Sequence, residues 1–339
     1  MHLQGVESDR FNRGVTGHAK MNGCRWARTR IQQHLSIYAV GALLFGVTAC
    51  SSQKANPRYG QLVATTFYEH PFQFNCSPSP PPQSAPAFTT GSRPALYARS
   101  RSNTLDLPLS AVPSLTIAAE LGNLVEIAAF PQARWIVHYC ATGKGNTPEE
   151  ADANLQKVSM QRTGSLLTLN SPGTIGYGRL LLDVPAGAPL TVHSDDPLEI
   201  HDLSGPVRVS SLGRAVILNT TGRVDVLAMA VNFAGSQGSV FLNASQDISF
   251  MITATRFQGS LGANAQHQVN AYFPPGFQTP VEVFVIRPKD FVCRADFCSK
   301  MKKGRQDLLY RFTYGKTEGA SDGIGMRSMD AQVVLDTIQ

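Results

Sequence analysis

Between Leu190 and Phe250 the chain repeats one small pattern: an apolar residue, a variable residue, a second apolar residue, then a turn. The pairs are Leu190/Val192, Leu198/Ile200, Val207/Val209, Val216/Leu218, Val224/Val226, Val231/Phe233, Val240/Leu242 and Ile248/Phe250. Their first members advance by 8, 9, 9, 8, 7, 9 and 8 residues. Residues two apart on a strand share a face, so each pair predicts a short strand with one buried side. Gly, Ser, Asn and Asp fill the intervals, as tight turns require. The outward positions carry Thr191, Glu199, Arg208, Asp225 and Ser249.

Two architectures share this spacing. A β-sandwich of hairpins places strands every 8–12 residues. A β-solenoid does the same with shorter, more uniform strands. The short units and small-residue turns favour an all-β, single-stranded, β-helix-like solenoid, with the sandwich as alternative. A solenoid coil contacts mainly its neighbours and needs capped ends.

Flanking segments have another texture. "LTIAAE" and "LVEIAAF" read as a strand pair turning at Gly122–Asn123. "RWIVHYCATG" is a further strand that places Trp135 in the core. "TPEEADANLQKV" predicts one short helix near the N-terminal end of the fold. Thr147 is its N-cap, Pro148 its first turn, and Glu150 completes a capping box. Ala151, Leu155 and Val158 form its apolar face. "SLLTLNS" and "GRLLLDVPAG" return to strands, and "VEVFVI" and "LLYRFTY" are longer strands after Pro274. The helix and the region after Pro274 are the expected caps.

Residues 1–49 read as a signal peptide. "IYAVGALLFGVTA" follows Arg25, Arg28 and Arg30. It is too short to span a bilayer, which takes about 20 residues, but fits the apolar core of a secretory signal. Residues 1–20 lack signal character, which makes Met21 the alternative start. The cut site reads "VTAC" and ends on Cys50, a pattern that resembles the lipobox of bacterial lipoproteins. The resemblance implies cleavage before Cys50, acylation of that residue and stable anchoring by several acyl chains. Ser51 rather than Asp then implies the outer membrane over the inner one. Residues 50–110 contain "NCSPSPPPQSAPAFTTGSRP" and read as a Pro/Ser-rich tether. The folded domain is expected over 111–339.

Composition adds little drive toward a partner. The formal charge is +6, but residues 1–49 hold six Lys/Arg against two acids, leaving about +2 for the remainder. Nothing in that balance suggests nucleic-acid binding. Past Cys50 lie Cys76, Cys140, Cys293 and Cys298, an even number that reads as disulfides in an exported chain. Cys293 and Cys298 can close a small loop, which leaves Cys76 for Cys140. Zinc at the C-x4-C is the weaker alternative, because no near His completes the set.

"HSDDPLEIHD" is the densest polar cluster, with His193, Asp195, Asp196, His201 and Asp202. Paired carboxylates could serve glycosidic acid–base chemistry, and His193, Asp195 and His201 could hold a metal. A solvated turn explains the same residues. Arg294, Lys300, Lys302, Lys303 and Arg305 form a local basic run that could meet anionic headgroups, or simply be an exposed loop. No nucleophile elbow, phosphate loop or zinc-protease motif occurs, so no cofactor or metal is expected.

The strands around "LGN", the helix "TPEEADANLQKV", the lead-in "LLLDVPAGAPLTV" and repeats such as "SGPVRVSSLGRAVIL" occur in an order that resembles the bacterial "putative adhesin" family of exported β-solenoid domains. The likeness covers about residues 115–339. It implies an exported β-solenoid domain and leaves its function open. "SGPV" and "TGRV" stand where the family has "SGDV"-like turns, so cation sites in the turns are not implied.

Three functions remain open at this level. The first is a lipid-anchored envelope protein that binds a glycan or an envelope protein through its solenoid face, not an enzyme. The second is a carbohydrate-active enzyme with carboxylates converging around Asp195, Asp196 and Asp202. The third is a structural envelope spacer. Oligomeric state is not legible.

Overall fold

The computed structural model describes Cys76 and residues 97–315, 322–330 and 332–338. All of them belong to one compact unit, residues 60–339. Toward the N-terminus lie β1 (Tyr97–Pro108), β2 (Leu115–Ala119), β3 (Asn123–Phe130), β4 (Arg134–Gly145), helix α1 (Pro148–Leu155), β5 (Ser159–Thr163), β6 (Leu166–Asn170) and β7 (Gly176–Pro185). The repeat region gives β8 (Leu190–Ser194), β9 (Leu198–His201), β10 (Val207–Ser211), β11 (Arg214–Leu218), β12 (Arg223–Ala228), β13 (Ala230–Gly235), β14 (Gln237–Ala244), β15 (Ile248–Ile252), β16 (Gln258–Ala265) and β17 (Val269–Phe273). The remainder is β18 (Val281–Val285), β19 (Phe291–Cys293), β20 (Lys302–Gln306), β21 (Leu309–Tyr314), β22 (Gly323–Ser328) and β23 (Val333–Thr337).

These strands form two large mixed sheets. One has eleven strands in the order β1-β4-β7-β3-β9-β11-β13-β15-β17-β23-β19. The other has twelve, in the order β20-β21-β18-β22-β16-β14-β12-β10-β8-β2-β6-β5. In the repeat region successive strands alternate between the sheets, and each pairs in parallel with the strand two further on. Leu190, Val207, Val224 and Val240 are register partners in one sheet. Leu198, Ala215, Val231 and Ile248 are register partners in the other. The sequence interval of eight or nine residues is therefore half of the structural one.

The core lies between the sheets. Ile127, Ile200, Ile217, Phe233 and Phe250 align on one inner face and Ile117, Val192, Val209, Val226 and Leu242 on the other, all fully or almost fully buried. At roughly 25 cal/mol per Å² of apolar area removed from water, such ladders are the main source of stability. From β2 to β22 the last inward position of the twelve-stranded sheet is small: Ala119, Ser194, Ser211, Ala228, Ala244, Ala265 and Ser328. There the chain turns toward the opposite sheet, and the Ser194 and Ser211 hydroxyls both donate to the Asp196 carbonyl.

One apolar pair points the other way from expectation. Ala215 and Ile217 face the core, while Val216 and Leu218 lie on the outward face and form a separate cluster with Ala234 and Met251. "AVIL" offers apolar residues to both sides, so periodicity alone could not choose the face. The strand pair around Gly122–Asn123 also resolves differently. Its turn exists, but β2 and β3 enter different sheets rather than a hairpin.

Helix α1 starts as the sequence requires. The Thr147 hydroxyl accepts the Glu150 N–H at 3.1 Å, while the Glu150 carboxylate accepts the Asn146 N–H at 2.7 Å, one residue before the cap. The helix rests on β4, where Gly143 and Gly145 leave room for its backbone. At the other end, Phe250, Phe273, Phe277, Phe297 and Tyr314 interlock with centroid spacings between 4.6 and 6.1 Å.

The boundary of the tether shifts. β1 lies within the segment read as tether and pairs antiparallel with β4 along its whole length, Tyr97 opposite Gly145 and Pro108 opposite Arg134. Its polar sequence "YARSRSNTLDLP" hid it, because an edge strand with mostly exposed side chains shows no apolar alternation.

Candidate binding face

The outward faces of the two sheets differ in kind. On the twelve-stranded sheet one outward row runs Thr191, Arg208, Asp225, Phe241, Gly262 and Gly325. The next runs His193, Ser210, Leu227, Asn243, Asn264 and Arg327. Phe241 and Leu227 are large apolar side chains, 46% and 59% exposed, on a surface that also carries exposed Leu166 beside Thr116 and partly buried Phe284 beside Arg327.

Phe241 sits there because Gly262 is its register neighbour. A Cβ at Gly262 would stand 3.0 Å from the Phe241 ring. The glycine thus lets the ring lie against the sheet with solvent on its other side. Beside it, Asn264 Nδ2 donates to Asn243 Oδ1 at 3.3 Å, an amide ladder between parallel strands. Further along, a shallow cleft is lined by Pro189, Thr191, Pro206, Arg208, Arg223 and Asp225. Arg223 pairs with Asp225 at 3.0 Å. Arg208 makes no ion pair within the described residues. The face thus combines a flat aromatic plane, amide donors and acceptors, and a guanidinium.

The polar cluster of the sequence is dispersed. His193 is on this outward face, Asp195 and Asp196 are in the corner between β8 and β9, His201 is on the outward face of the other sheet, and Asp202 is in the turn after β9 with φ 59°. The seven residues from Asp196 to Asp202 run through one strand, six backbone steps or roughly 20 Å of extended chain. That separation corrects the expectation of carboxylates converging in one groove. Among the described residues no group of three or more His, Cys, Asp or Glu is arranged to hold a metal ion.

Asp196 has a local structural role. Its carboxylate accepts the Gly122 and Asn123 N–H groups of the corner on a neighbouring layer. Burial raises its carboxyl above the usual aspartate range, with those two hydrogen bonds pulling the other way. Asp196→Ala should lose about 1–3 kcal/mol through unpaired backbone donors, while Asp196→Asn keeps an acceptor and most of the stability. Because the folded-state pKa is raised, ionisation opposes folding. Wild type should therefore gain on Asp196→Asn as pH falls from neutral into the carboxylate range. Urea unfolding at several pH values measures both effects.

On the eleven-stranded sheet, Glu126 and Glu199 are register neighbours. Arg179 reaches Glu126 at 2.8 Å, and His201 Nε2 lies 3.5 Å from Glu199. Hydrogen bonding from His201 holds the Glu199 carboxyl below its usual range. This grouping was not visible in the sequence, because its members come from β3, β7 and β9.

The basic run forms an edge. Lys302, Lys303 and Arg305 lie on exposed β20, the last strand of its sheet, with Lys303 and Arg305 near the Tyr310 ring. Exposed Lys300 follows the Cys298 turn, and Arg294 pairs with Asp336 at 3.5 Å. Charged side chains on an open edge discourage pairing with another chain, which accounts for the run without a ligand.

Both expected disulfides are present. Cys76–Cys140 joins residues 64 apart with Cα atoms 5.5 Å apart, and Cys293–Cys298 closes the small loop with Cα atoms 5.7 Å apart. Cys50, the leader and the Pro-rich stretch lie outside the described residues.

Sequence reading missed Phe241, although the signal was there. In "VFL" the outward position between Val240 and Leu242 carries a phenylalanine where repeats such as those around Arg208 and Asp225 carry a polar residue.

No protein-family model matches the chain, and no curated protein matches it. Among solved structures it has a distant likeness to a "putative cell adhesion protein" from Clostridium sporogenes, at 8% identity and TM-score 0.28, covering 70% of this chain and 99% of that one. A "putative adhesin" from Bacteroides fragilis is matched at 9% identity and TM-score 0.32, covering 73% of this chain and 100% of the other. Likeness at this level assigns neither family nor function.

Proposed function

We propose that this chain is a lipid-anchored envelope protein whose two-sheet β-solenoid binds glycans through the outward face of the twelve-stranded sheet, without catalysing a reaction. The observation that carries the binding reading is Phe241, an exposed ring laid against Gly262. A flat apolar ring beside Asn243 and Asn264 suits the apolar face and hydroxyls of a sugar. The solenoid reading rests on the alternation of strands between sheets and their parallel register every second strand.

A glycan array probed with the full chain tests the binding reading. Wild type is expected to retain a defined set of glycans, and Phe241→Ala to lose at least tenfold in affinity while unfolding normally. No glycan bound, or equal binding by Phe241→Ala, overturns it; silence against protein partners as well would leave the spacer reading.

The anchor rests on "VTAC" behind an apolar run. Fatty-acid labelling in a Gram-negative host is expected to mark wild type and not Cys50→Ala, with loss of membrane association in the variant. A labelled variant, or an unlabelled wild type, contradicts acylation at Cys50.

A further inference from the structure

The outward face of the twelve-stranded sheet does not balance its charges. From β8 to β18 in the strand order it carries two carboxylates, Asp225 and Glu282. Each already has a guanidinium: Arg223 lies 3.0 Å from Asp225, and Arg311 pairs with Glu282. Two further arginines, Arg208 and Arg327, are exposed and make no ion pair within the described residues. Asp225 is the register neighbour of Arg208, but its carboxylate lies with Arg223. Four arginines against two carboxylates leave a surplus of two positive charges.

The two surplus charges flank Phe241. Arg208 stands on β10, Phe241 on β14 and Arg327 on β22, in the strand order β10-β12-β14-β16-β22. Two strand steps separate the ring from each arginine, roughly 9–10 Å on either side. Arg208 shares the Phe241 row, and Arg327 stands in the adjacent row between Asn264 and Phe284. On the Arg327 side the floor is bare. Gly262 and Gly325 continue the Phe241 row, and a Cβ at Gly325 would meet nothing within 4 Å. A flat ring can lie there against the backbone. An exposed guanidinium without a partner offers a fork of donors that matches a carboxylate in bidentate fashion. A neutral sugar would use the phenylalanine and the amides and leave both forks with water.

We infer that the glycan held on this face is acidic, with carboxylates on sugars that flank the one stacked on Phe241, one reaching Arg208 and another reaching Arg327. This rests on the glycan reading above and narrows it to a class. A carboxylated chain laid across the strands places its ring faces on Phe241 and the glycine strip and its charges at the two arginines. Asp225 and Glu282 do not repel it, because each is held by an arginine of its own.

A glycan array printed twice tests this, one copy native and one with the sugar carboxyls reduced to alcohols, both probed with the full chain. Wild type should retain uronate- or sialate-bearing glycans on the native copy and bind their reduced forms about tenfold or more weakly. Arg208→Gln and Arg327→Gln should each weaken the acidic glycans by about tenfold with an unchanged urea midpoint. Equal retention on the two copies, whether of neutral or of sulfated glycans, overturns the inference and leaves the glycan reading standing. Full binding by either arginine variant overturns it as well. Retention on neither copy overturns both readings. Where a glutamine variant unfolds early, the comparison of the two copies with wild type decides alone.

Discussion

Trp135→Ala is expected to lower the unfolding free energy by about 3–5 kcal/mol, read as a drop in the urea midpoint at unchanged slope. The ring is fully buried, and its indole N–H donates to the Val112 carbonyl at 2.7 Å. Two losses combine. Truncation leaves a cavity that the surrounding sheets cannot close, and it strands a carbonyl in the segment before β2. Trp135→Phe separates them. It keeps most of the volume and loses only the donor, so it should cost about 1–2 kcal/mol. Equal effects of the two substitutions would place Trp135 outside the packed core.

Gly143→Ala should destabilise by about 3 kcal/mol, at the upper end for overpacking. A Cβ there would stand 2.2 Å from the Leu155 nitrogen and 2.4 Å from the Ala151 carbonyl. These are helix backbone atoms, which cannot swing aside as a side-chain tip would. Helix α1 must lift off β4 as a body, so its amide protons should exchange faster while those of β13 and β15 keep their protection. Gly164→Ala is the control. That residue needs φ +59° but has nothing within 4 Å of a Cβ, so only the backbone conformation opposes it, by about 1 kcal/mol. Matching effects at the two glycines would mean that α1 is not seated on β4.

Sequence periodicity carried the repeat strands because each has one side facing a shared core. Val207/Val209 and Val224/Val226 announce themselves, since their neighbours Arg208 and Asp225 are polar. It failed at β11, where "AVIL" is apolar on both sides and both sides are buried. Pairing order was hidden for a different reason. Strands β22 and β23 return after an excursion of about fifty residues and insert between β16 and β18 and between β17 and β19. Nothing local encodes that return; it depends on which edges are still open when those strands form. The helix was legible because its cap, proline and apolar face agree, but its seat was not, since Gly143 and Gly145 look like turn residues until a helix is placed upon them. Of the candidate site, the carboxylate cluster was dense in sequence only because the seven residues from Asp196 to Asp202 run from one corner to the next through a single short strand. Phe241 is a single residue whose meaning depends on Gly262, 21 positions further on.

Chemical-shift mapping of the full chain in detergent, titrated with a glycan retained on the array, tests the proposed binding face most directly. The expected result is a contiguous set of perturbed signals at Arg208, Leu227, Phe241, Asn243 and Asn264, all from the outward rows of the twelve-stranded sheet, with Ser249 and Asn270 on the other sheet unchanged. Perturbations gathered at the Asp195–Asp196 corner or on the eleven-stranded sheet would contradict the assignment of that face.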